Sequence, residues 1–281
     1  MRNHKFYDNY FTNLFVLSIL NEQKQLPLPW GTFPSGMEPY FPDASLVDWV
    51  GTSLYNNKYQ FASSPTKGVD NNEMYFGIGD YADPVKNLSH TADLAKKYNK
   101  PIIITEGGSG YLSGNADTTT FAADRIREAY TTLNMVYPQV KAIIHFDRSG
   151  NGYDYTLQNN ATVQAAYNSA LKSNPTLMSS PSQTVTQSFK PLSQVTGANG
   201  VVTLRAYCDV IGQTVTVTYS VDGKWIGTQK TVPYNCQLDT STLTAGNHTL
   251  KVVFNAPNGY SQTLNYQLTK AANGSVSFKQ A

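Results

Sequence analysis

The pattern of apolar residues changes near residue 180. Before that point, apolar residues occur at successive positions in four short runs, with polar and amphipathic segments between them. These runs cover residues 14–20, 46–55, 101–106 and 140–147. Consecutive apolar positions are typical of parallel strands that are covered on both faces. The first part of the chain is therefore predicted to form a parallel α/β sheet.

Three amphipathic segments between and after these runs are predicted to be helices. Each follows a residue that can cap a helix or stops shortly before a proline. The segments are 90–99 after Ser89, 121–137 after Asp117 or Thr118, and about 161–172. Strands and helices thus alternate along the first part, as they do in β/α proteins.

Beyond residue 187 apolar residues alternate with polar ones, and turn pairs such as Asp222-Gly223 separate the alternating segments. Short antiparallel strands at this spacing predict a β-sandwich of the immunoglobulin type. The five segments with this period of two are 201–208, 214–221, 224–232, 248–254 and 261–268. A Ser/Thr/Pro-rich linker is predicted at 176–187, so the predicted domains are 1–175 and 188–281.

Composition narrows the class of protein. Charged residues make up only 14% of the chain, whereas aromatic residues make up 12%, with 19 tyrosines among them. Hydroxyl and amide groups must then keep the surface in solution, which suits an extracellular protein that handles sugars. The net charge of +2 argues against a nucleic-acid partner. No run of 18 apolar residues occurs, so no membrane span is predicted.

The first twenty residues require a separate check for a targeting signal. Arg2 and Lys5 precede the apolar run 14–20, but no small-residue cleavage site follows it. A buried strand is therefore favoured over a signal peptide, and no secretion signal is evident in this chain.

Glu106 is the strongest candidate for chemistry. It lies at the end of the apolar strand 101–105 and is followed at once by Gly107-Gly108-Ser109-Gly110. Catalytic groups of β/α barrels stand at the carboxyl ends of strands, where loops bring the substrate to them. The alternative is a carboxylate that only marks where the strand meets solvent.

Cofactors and metals are not predicted. The glycine-rich segment 107–110 precedes no helix with a Lys-Ser/Thr pair, so a phosphate-binding loop is rejected. The four His and two Cys residues show no ligand spacing, which argues against a metal site.

Three motifs resemble consecutive strands of glycoside hydrolase family 26, a β-mannanase-like family of retaining barrel enzymes. The motifs are YFPDASLVDWVGTSLYNN (40–57), KPIIITEGGSG (100–110) and QVKAIIHFD (139–147). The resemblance implies that Glu106 is the nucleophile and that Tyr55 contacts it from the neighbouring strand. It also implies a β-linked polysaccharide substrate, with mannan as the favoured one, and no cofactor.

The motif that ends in Asp147 departs from the family at one position. His145 stands where the family often has Trp, which weakens stacking and adds a hydrogen-bonding group. His145 is a substrate contact or a satisfied barrel histidine, and Asp147 lines the cleft or pairs with Arg148. Trp30, in a Pro-rich loop, is a better candidate than Trp49 for stacking on a sugar ring.

The resemblance implies a partial (β/α)8 barrel made of strands five to eight only. The family's acid/base Glu belongs to strand four, so it is expected upstream of Met1. Glu22 follows an apolar strand and is the alternative acid/base, but the Pro-rich stretch after it favours a loop carboxylate. The chain is then expected to be weakly active or inactive alone, unless it pairs with the missing barrel half or a second copy.

The second part resembles the bacterial immunoglobulin-like modules that accompany secreted hydrolases. The residues that carry this resemblance are Val221 to Lys224 and the segment LDTSTLTAGNHTLKVVF (238–254). It implies an extracellular or cell-surface location, where Cys208 and Cys236 form a disulfide or remain two free thiols. The alternative to an enzyme is a non-catalytic glycan-binding protein that keeps a degenerate barrel as scaffold.

Overall fold

The computed structural model describes residues 14–16, 41, 43–59, 79, 82–150, 152–178, 188–208 and 214–281. The chain divides into two compact units, Met1–Lys172 and Ser173–Ala281. Glu22, Trp30 and most of the predicted linker lie outside the described residues, so their predicted roles have no structural counterpart here. Among the described residues no helix is both long and apolar enough to cross a membrane.

The first unit contains a parallel four-stranded sheet with the order β1-β2-β3-β4. The strands are β1 (Leu14–Val16), β2 (Trp49–Asn57), β3 (Ile102–Gly110) and β4 (Val140–His145). Two short antiparallel strands, β5 (Ser149–Gly150) and β6 (Tyr153–Asp154), follow as a separate pair. Ile102, Ile103 and Ile104 are all buried, as expected for a strand covered on both faces. The predicted mixed α/β architecture is confirmed, and the partial barrel stays a prediction.

Three helices accompany this sheet, and two of them begin earlier than the sequence suggested. They are α1 (Pro84–Lys97), α2 (Ala116–Val136) and α3 (Ala161–Ser173). The prediction that Ser89 caps the first helix is wrong, because Asp83 caps it by accepting from the backbone N–H groups of Val85 and Lys86. Pro84 at the first helical position has the φ angle that a helix needs.

The cap of α2 also differs from the prediction. Asn115 accepts from the backbone N–H of Thr118 and is the N-cap, so Asp117 and Thr118 lie inside the helix. Asn is among the preferred N-cap residues because its side-chain oxygen satisfies an unpaired N–H of the first turn. Asp117 instead pairs with Lys58 at 2.6 Å.

β3 does not end at Glu106 but continues through the glycine-rich segment to Gly110. Its register with β2 shifts by one residue, because Thr52 pairs with Ile104 whereas Ser53 pairs with Glu106. Thr105 is thus an extra residue, that is, a β-bulge, and a register shift toward β4 occurs in the same place. Neighbouring residues of β2 point to opposite faces, so the bulge puts Glu106 on the face opposite to Ile104.

The second unit consists of antiparallel strands in a two-stranded and a five-stranded sheet. Buried apolar side chains of both sheets, such as Leu204, Tyr219, Leu238 and Leu250, form one core. The small sheet pairs β7 (Val201–Leu204) with β10 (Cys236–Asp239). The large sheet has the order β13-β12-β11-β8-β9, with β8 (Thr216–Val221), β9 (Lys224–Gln229), β11 (Gly246–Asn255), β12 (Ser261–Lys270) and β13 (Val276–Gln280).

Cys208 and Cys236 of this unit are thiols that are not joined in a disulfide. Cys236 is buried beside Gly227, where an added Cβ would come within 2.9 Å of its Sγ. Cys208 is half-buried, and its Sγ lies 3.8 Å from the hydroxyl of Tyr260. Of the two alternatives that the sequence left open, the structure therefore shows the two thiols without a disulfide.

Candidate active site

Glu106 and Tyr55 meet at the carboxyl end of the parallel sheet. The hydroxyl of Tyr55 donates a hydrogen bond to Oε1 of Glu106. The backbone explains the contact, because Ser53 pairs with Glu106 and Tyr55 pairs with Gly108 two residues further along both strands. Glu106 is exposed, although residues 102–104 before it and Gly107 after it are buried. The carboxylate is thus both anchored and open to solvent.

Two aromatic rings pack against the ring of Tyr55, and we call Tyr55, Phe146 and Tyr155 the aromatic trio. The ring centroid of Tyr55 lies 5.7 Å from that of Phe146 and 5.3 Å from that of Tyr155, and Phe146 and Tyr155 are 5.7 Å apart. All three pairs are edge-to-face, the geometry that aromatic quadrupoles prefer. The trio therefore fixes the orientation of the ring that carries the Tyr55 hydroxyl.

Tyr155 is held by contacts at both ends. Its hydroxyl donates to Oδ1 of Asn57 at 3.1 Å, and the same oxygen accepts from the backbone N–H of Gly110 at 3.2 Å. Burial raises the pKa of Tyr155 to about 12, so the hydroxyl keeps its proton and remains a donor at neutral pH. Gly108 lets the ring approach β3, since an added Cβ there would lie 3.2 Å from Cδ1 of Tyr155.

His145 supports Tyr155 and has partners for both of its ring nitrogens. Nε2 lies 3.0 Å from the carbonyl oxygen of Tyr155, and Nδ1 lies 3.4 Å from the hydroxyl of Tyr130. A carbonyl only accepts, so Nε2 carries the proton and Nδ1 accepts from Tyr130. Burial lowers the pKa of His145, which keeps the ring neutral at pH 7. This arrangement matches the satisfied histidine of the two sequence alternatives.

Asp147 organises the loop that follows β4. Its Oδ1 accepts from the backbone N–H of Leu157 at 2.8 Å, across the turn that carries Tyr155. None of the salt bridges between described residues joins Asp147 to Arg148. Asp147 thus contributes to the position of the aromatic trio through the loop.

The sequence predicted site roles for Glu106, Tyr55, His145 and Asp147 but not for Asn57, Phe146 and Tyr155, which the structure places in contact with this group. Asn57 ends one of the quoted motifs and Phe146 lies within another, so their positions next to named residues were the available signal. Tyr155 lies 98 residues from Asn57 along the chain, and its contact is visible only in the fold. Within the described ranges, no group of three His, Cys, Asp or Glu side chains could hold a metal ion.

The comparison with protein families finds one match. The family described as bacterial Ig domain matches residues 181–252, which confirms the immunoglobulin-like character of the second unit. No curated protein matches the chain.

Solved structures similar to this chain include two mannanases and a glucuronidase. An endo-beta-1,4-mannanase double mutant from Cellulomonas fimi is 14% identical with a TM-score of 0.35, covering 84% of this chain and 50% of that one. The endo-beta-1,4-mannanase from Thermotoga petrophila is 13% identical with a TM-score of 0.29, covering 80% and 48%. Beta-glucuronidase 2 from Bacteroides uniformis is 14% identical with a TM-score of 0.30, covering 80% and 26%. The chain thus spans about half the length of the two mannanases.

Proposed function

We propose that the first unit is the nucleophile-bearing part of an extracellular retaining glycoside hydrolase. Its substrate would be a β-linked polysaccharide, with mannan as the favoured one. The observation that carries the proposal is the hydrogen bond from Tyr55 to Glu106 at the carboxyl end of a parallel sheet. The three strand motifs that resemble family 26 support it, since they assign the nucleophile and its tyrosine to these two residues. The bacterial Ig domain match supports the extracellular location.

In this mechanism Glu106 attacks the anomeric carbon while the bond to the leaving oxygen breaks. Retaining enzymes place the second carboxyl about 5–5.5 Å from the nucleophile, where it protonates the leaving oxygen and later deprotonates the attacking water. Glu22 stays the candidate for that second role within this chain. Tyr55 holds Oε1, so Oε2 of Glu106 is the oxygen that forms the bond to the sugar.

Hydrogen bonding and ring packing orient the nucleophile before substrate arrives. A hydrogen bond to a charged carboxylate is worth about 1.5–3 kcal/mol, more than a bond between neutral groups. The aromatic trio keeps the Tyr55 ring in one orientation, and Asn57 and His145 hold the third ring of that trio. Such preorganisation places the reacting oxygen without reorganisation during the reaction.

The test is covalent trapping with 2-deoxy-2-fluoro-β-mannosyl fluoride. The C1–F bond breaks as the bond from C1 to the Glu106 oxygen forms, and fluoride leaves with the electron pair. Since fluoride leaves without a proton, the test does not depend on the second carboxyl. Mass spectrometry of the digested protein should find the added sugar on the peptide that contains Glu106.

Two variants sharpen the trapping experiment. Glu106→Gln should give no adduct, whereas Asp124→Asn, which changes an exposed carboxylate paired with Arg127 on α2, should label like the unchanged protein. An adduct on a different carboxylate would contradict the assignment of the nucleophile. Labelling only by the corresponding 2-fluoroglucosyl reagent would indicate a substrate built from glucose instead of mannose. Binding of mannan without an adduct and without release of reducing sugar would select the non-catalytic glycan-binding protein instead.

A further inference from the structure

The second unit exposes one large aromatic side chain on its sheet. Trp225 lies in β9, at the end of the five-strand order, and is 67% exposed. Its only donor, Nε1–H, is already used, because it donates to Oγ1 of Thr228 at 2.9 Å. The indole therefore offers solvent its ring and not its N–H. Tryptophans of this kind are typical of binding surfaces.

A β-bulge sets the direction of this side chain. Tyr219 of β8 pairs with Gly227, but the next residue, Ser220, pairs with Trp225, so Ile226 is an extra residue in β9. Residues three apart in a regular strand point to opposite faces. The extra residue puts Trp225 and Thr228 on the same face, where the hydroxyls of Thr228 and Thr218 lie 3.3 Å apart.

The surface around Trp225 is polar and rich in hydroxyl and amide groups, and we call this side of the five-stranded sheet the outer face. Trp225, Ser220, Lys251 and Asn265 follow one another across four strands of that face. The three steps between strands, each about 4.8 Å, make this row about 14 Å long. The parallel row beside it consists of Thr228, Thr218, Val253 and Thr263.

The charge of the five strands has a single sign. None of the five strands of this sheet contains Asp or Glu, whereas they contain four lysines. Lys270 is used internally, since its Nζ donates to the carbonyl oxygens of Thr240 and Leu243. Lys251 is exposed in the Trp225 row, and Lys279 is exposed in the row that contains Gln267. No salt bridge between described residues involves Lys251 or Lys279.

We propose that the outer face is a binding site for an acidic polysaccharide chain, with Trp225 stacking on a sugar ring and Lys251 pairing with a uronate carboxylate. Sugar rings present C–H groups to an aromatic face and hydroxyls to Thr, Ser, Asn and Gln side chains. The lysines, with no carboxylate in the same strands, favour a glycan that carries negative charge over a neutral one. The site lies in the second unit and does not depend on the chemistry of Glu106.

The test compares two soluble hexasaccharides by titration calorimetry on the full chain. The hexamer of β-1,4-linked mannuronate and β-1,4-mannohexaose share sugar configuration and linkage and differ only in the carboxylate at C6. We expect the mannuronate hexamer to bind at low ionic strength and to bind more weakly as salt screens the charges. At the outer face, identified as the binding that Trp225→Ala removes, mannohexaose should bind at least about tenfold more weakly, the equivalent of about 1.4 kcal/mol.

Variants separate stacking from charge. Trp225→Ala should weaken binding of the mannuronate hexamer at least about tenfold, as for a central aromatic contact, and Trp225→Phe should restore part of it. Lys251→Gln should weaken binding and reduce its salt dependence. Lys190→Gln is the matched control, an exposed lysine of the same unit outside the five strands.

Several results would overturn the proposal. They are equal affinity for the two hexamers, no binding of the mannuronate hexamer, or unchanged affinity in the folded Trp225→Ala protein. Circular dichroism of each variant verifies that it is folded. Failure of the glycosidase proposal is measured as the absence of an adduct on Glu106, and failure of this proposal is measured in the titration of the mannuronate hexamer, so the two failures give different results.

Discussion

Two neighbouring glycines of β3 differ in what a methyl group would meet. An added Cβ at Gly107 would stand 2.7 Å from the carbonyl oxygen of Leu54 and 3.1 Å from Cγ2 of Ile104. An added Cβ at Gly108 would meet only side chains, Tyr155 at 3.2 Å and His145 at 3.6 Å. Neither glycine has a positive φ, so alanine fits the backbone at both positions. The pair therefore isolates the effect of close approach between strands.

The expected magnitudes follow from these contacts. Overpacking against a fixed neighbour costs about 1–3 kcal/mol. Replacing Gly by Ala also reduces the entropy of the unfolded chain, which stabilises the protein by about 0.4–1 kcal/mol. For Gly107→Ala the backbone oxygen belongs to the β2–β3 ladder and cannot move alone, so a net loss of about 1–2 kcal/mol remains. For Gly108→Ala the Tyr155 ring can shift slightly, so the free energy of unfolding should change little.

Thermal unfolding of the purified chain measures the difference. A loss of 1 kcal/mol lowers Tm by about 2–4 °C in a unit of this size. Gly107→Ala should therefore lower the Tm of the first unit by about 2–8 °C and speed hydrogen exchange of β2 and β3 amides, while Gly108→Ala should leave both nearly unchanged. Equal Tm shifts for the two variants would refute the reasoning, as would a Gly107→Ala protein at least as stable as the unchanged chain.

Two further predictions concern pH. Burial, together with the neighbouring Asp83, raises the pKa of Glu128 to about 8 although Arg125 lies 2.6 Å away. Between about pH 4.5 and 8, the folded first unit then binds more protons at Glu128 than the unfolded chain does, so its free energy of unfolding should fall as pH rises through that window. Urea unfolding measured at several pH values should show this fall, and Glu128→Gln should reduce it. In the second unit, Asp222 raises the pKa of His248 by a hydrogen bond at 2.6 Å, and His248 lowers that of Asp222. The contribution of His248 to the free energy of unfolding is fully present below its unfolded pKa of about 6.5 and is lost as pH rises through its folded pKa. That loss should be absent in His248→Gln. An unchanged pH profile of stability in this variant would exclude the His248–Asp222 pair as its cause.

The sequence predicted the parallel strands and the alternating strands because their patterns reflect burial directly. Ile102 to Ile104 are apolar in succession and are buried together, and the segments after residue 187 alternate as half-buried strands do. Element boundaries were less accessible. Asp83 is an N-cap residue followed by a first-turn proline, but Ser89 is also a residue type that caps helices. Only the backbone geometry shows which of the two caps the helix.

The residues of the candidate site also differ in how far the sequence predicts their positions. Glu106 and Tyr55 could be found because both stand in motifs at strand ends. The bulge at Thr105 could not be predicted, since it is a property of how β3 pairs with β2 and not of either strand alone. The three glycines among residues 107–110 suggest a loop by composition, yet Gly107, Gly108 and Gly110 allow the close approach of Leu54, Tyr155 and Asn57, which no local sequence pattern shows.

The extra residue in β3 also determines which genetic changes the strand tolerates. Residues 102–104 before Thr105 pair in one phase and are buried, whereas residues after it pair in the other phase and present Glu106 to solvent. Deletion of Thr105 would remove the bulge and leave Glu106 paired with Ser53 on the face opposite to Ile104, because neighbouring residues of a regular strand point to opposite faces. Deletion of a regularly paired residue of β3 would instead exchange the faces of the residues on one side of the deletion. The strand should therefore tolerate the loss of a residue at Thr105 better than the loss of a residue elsewhere along its length.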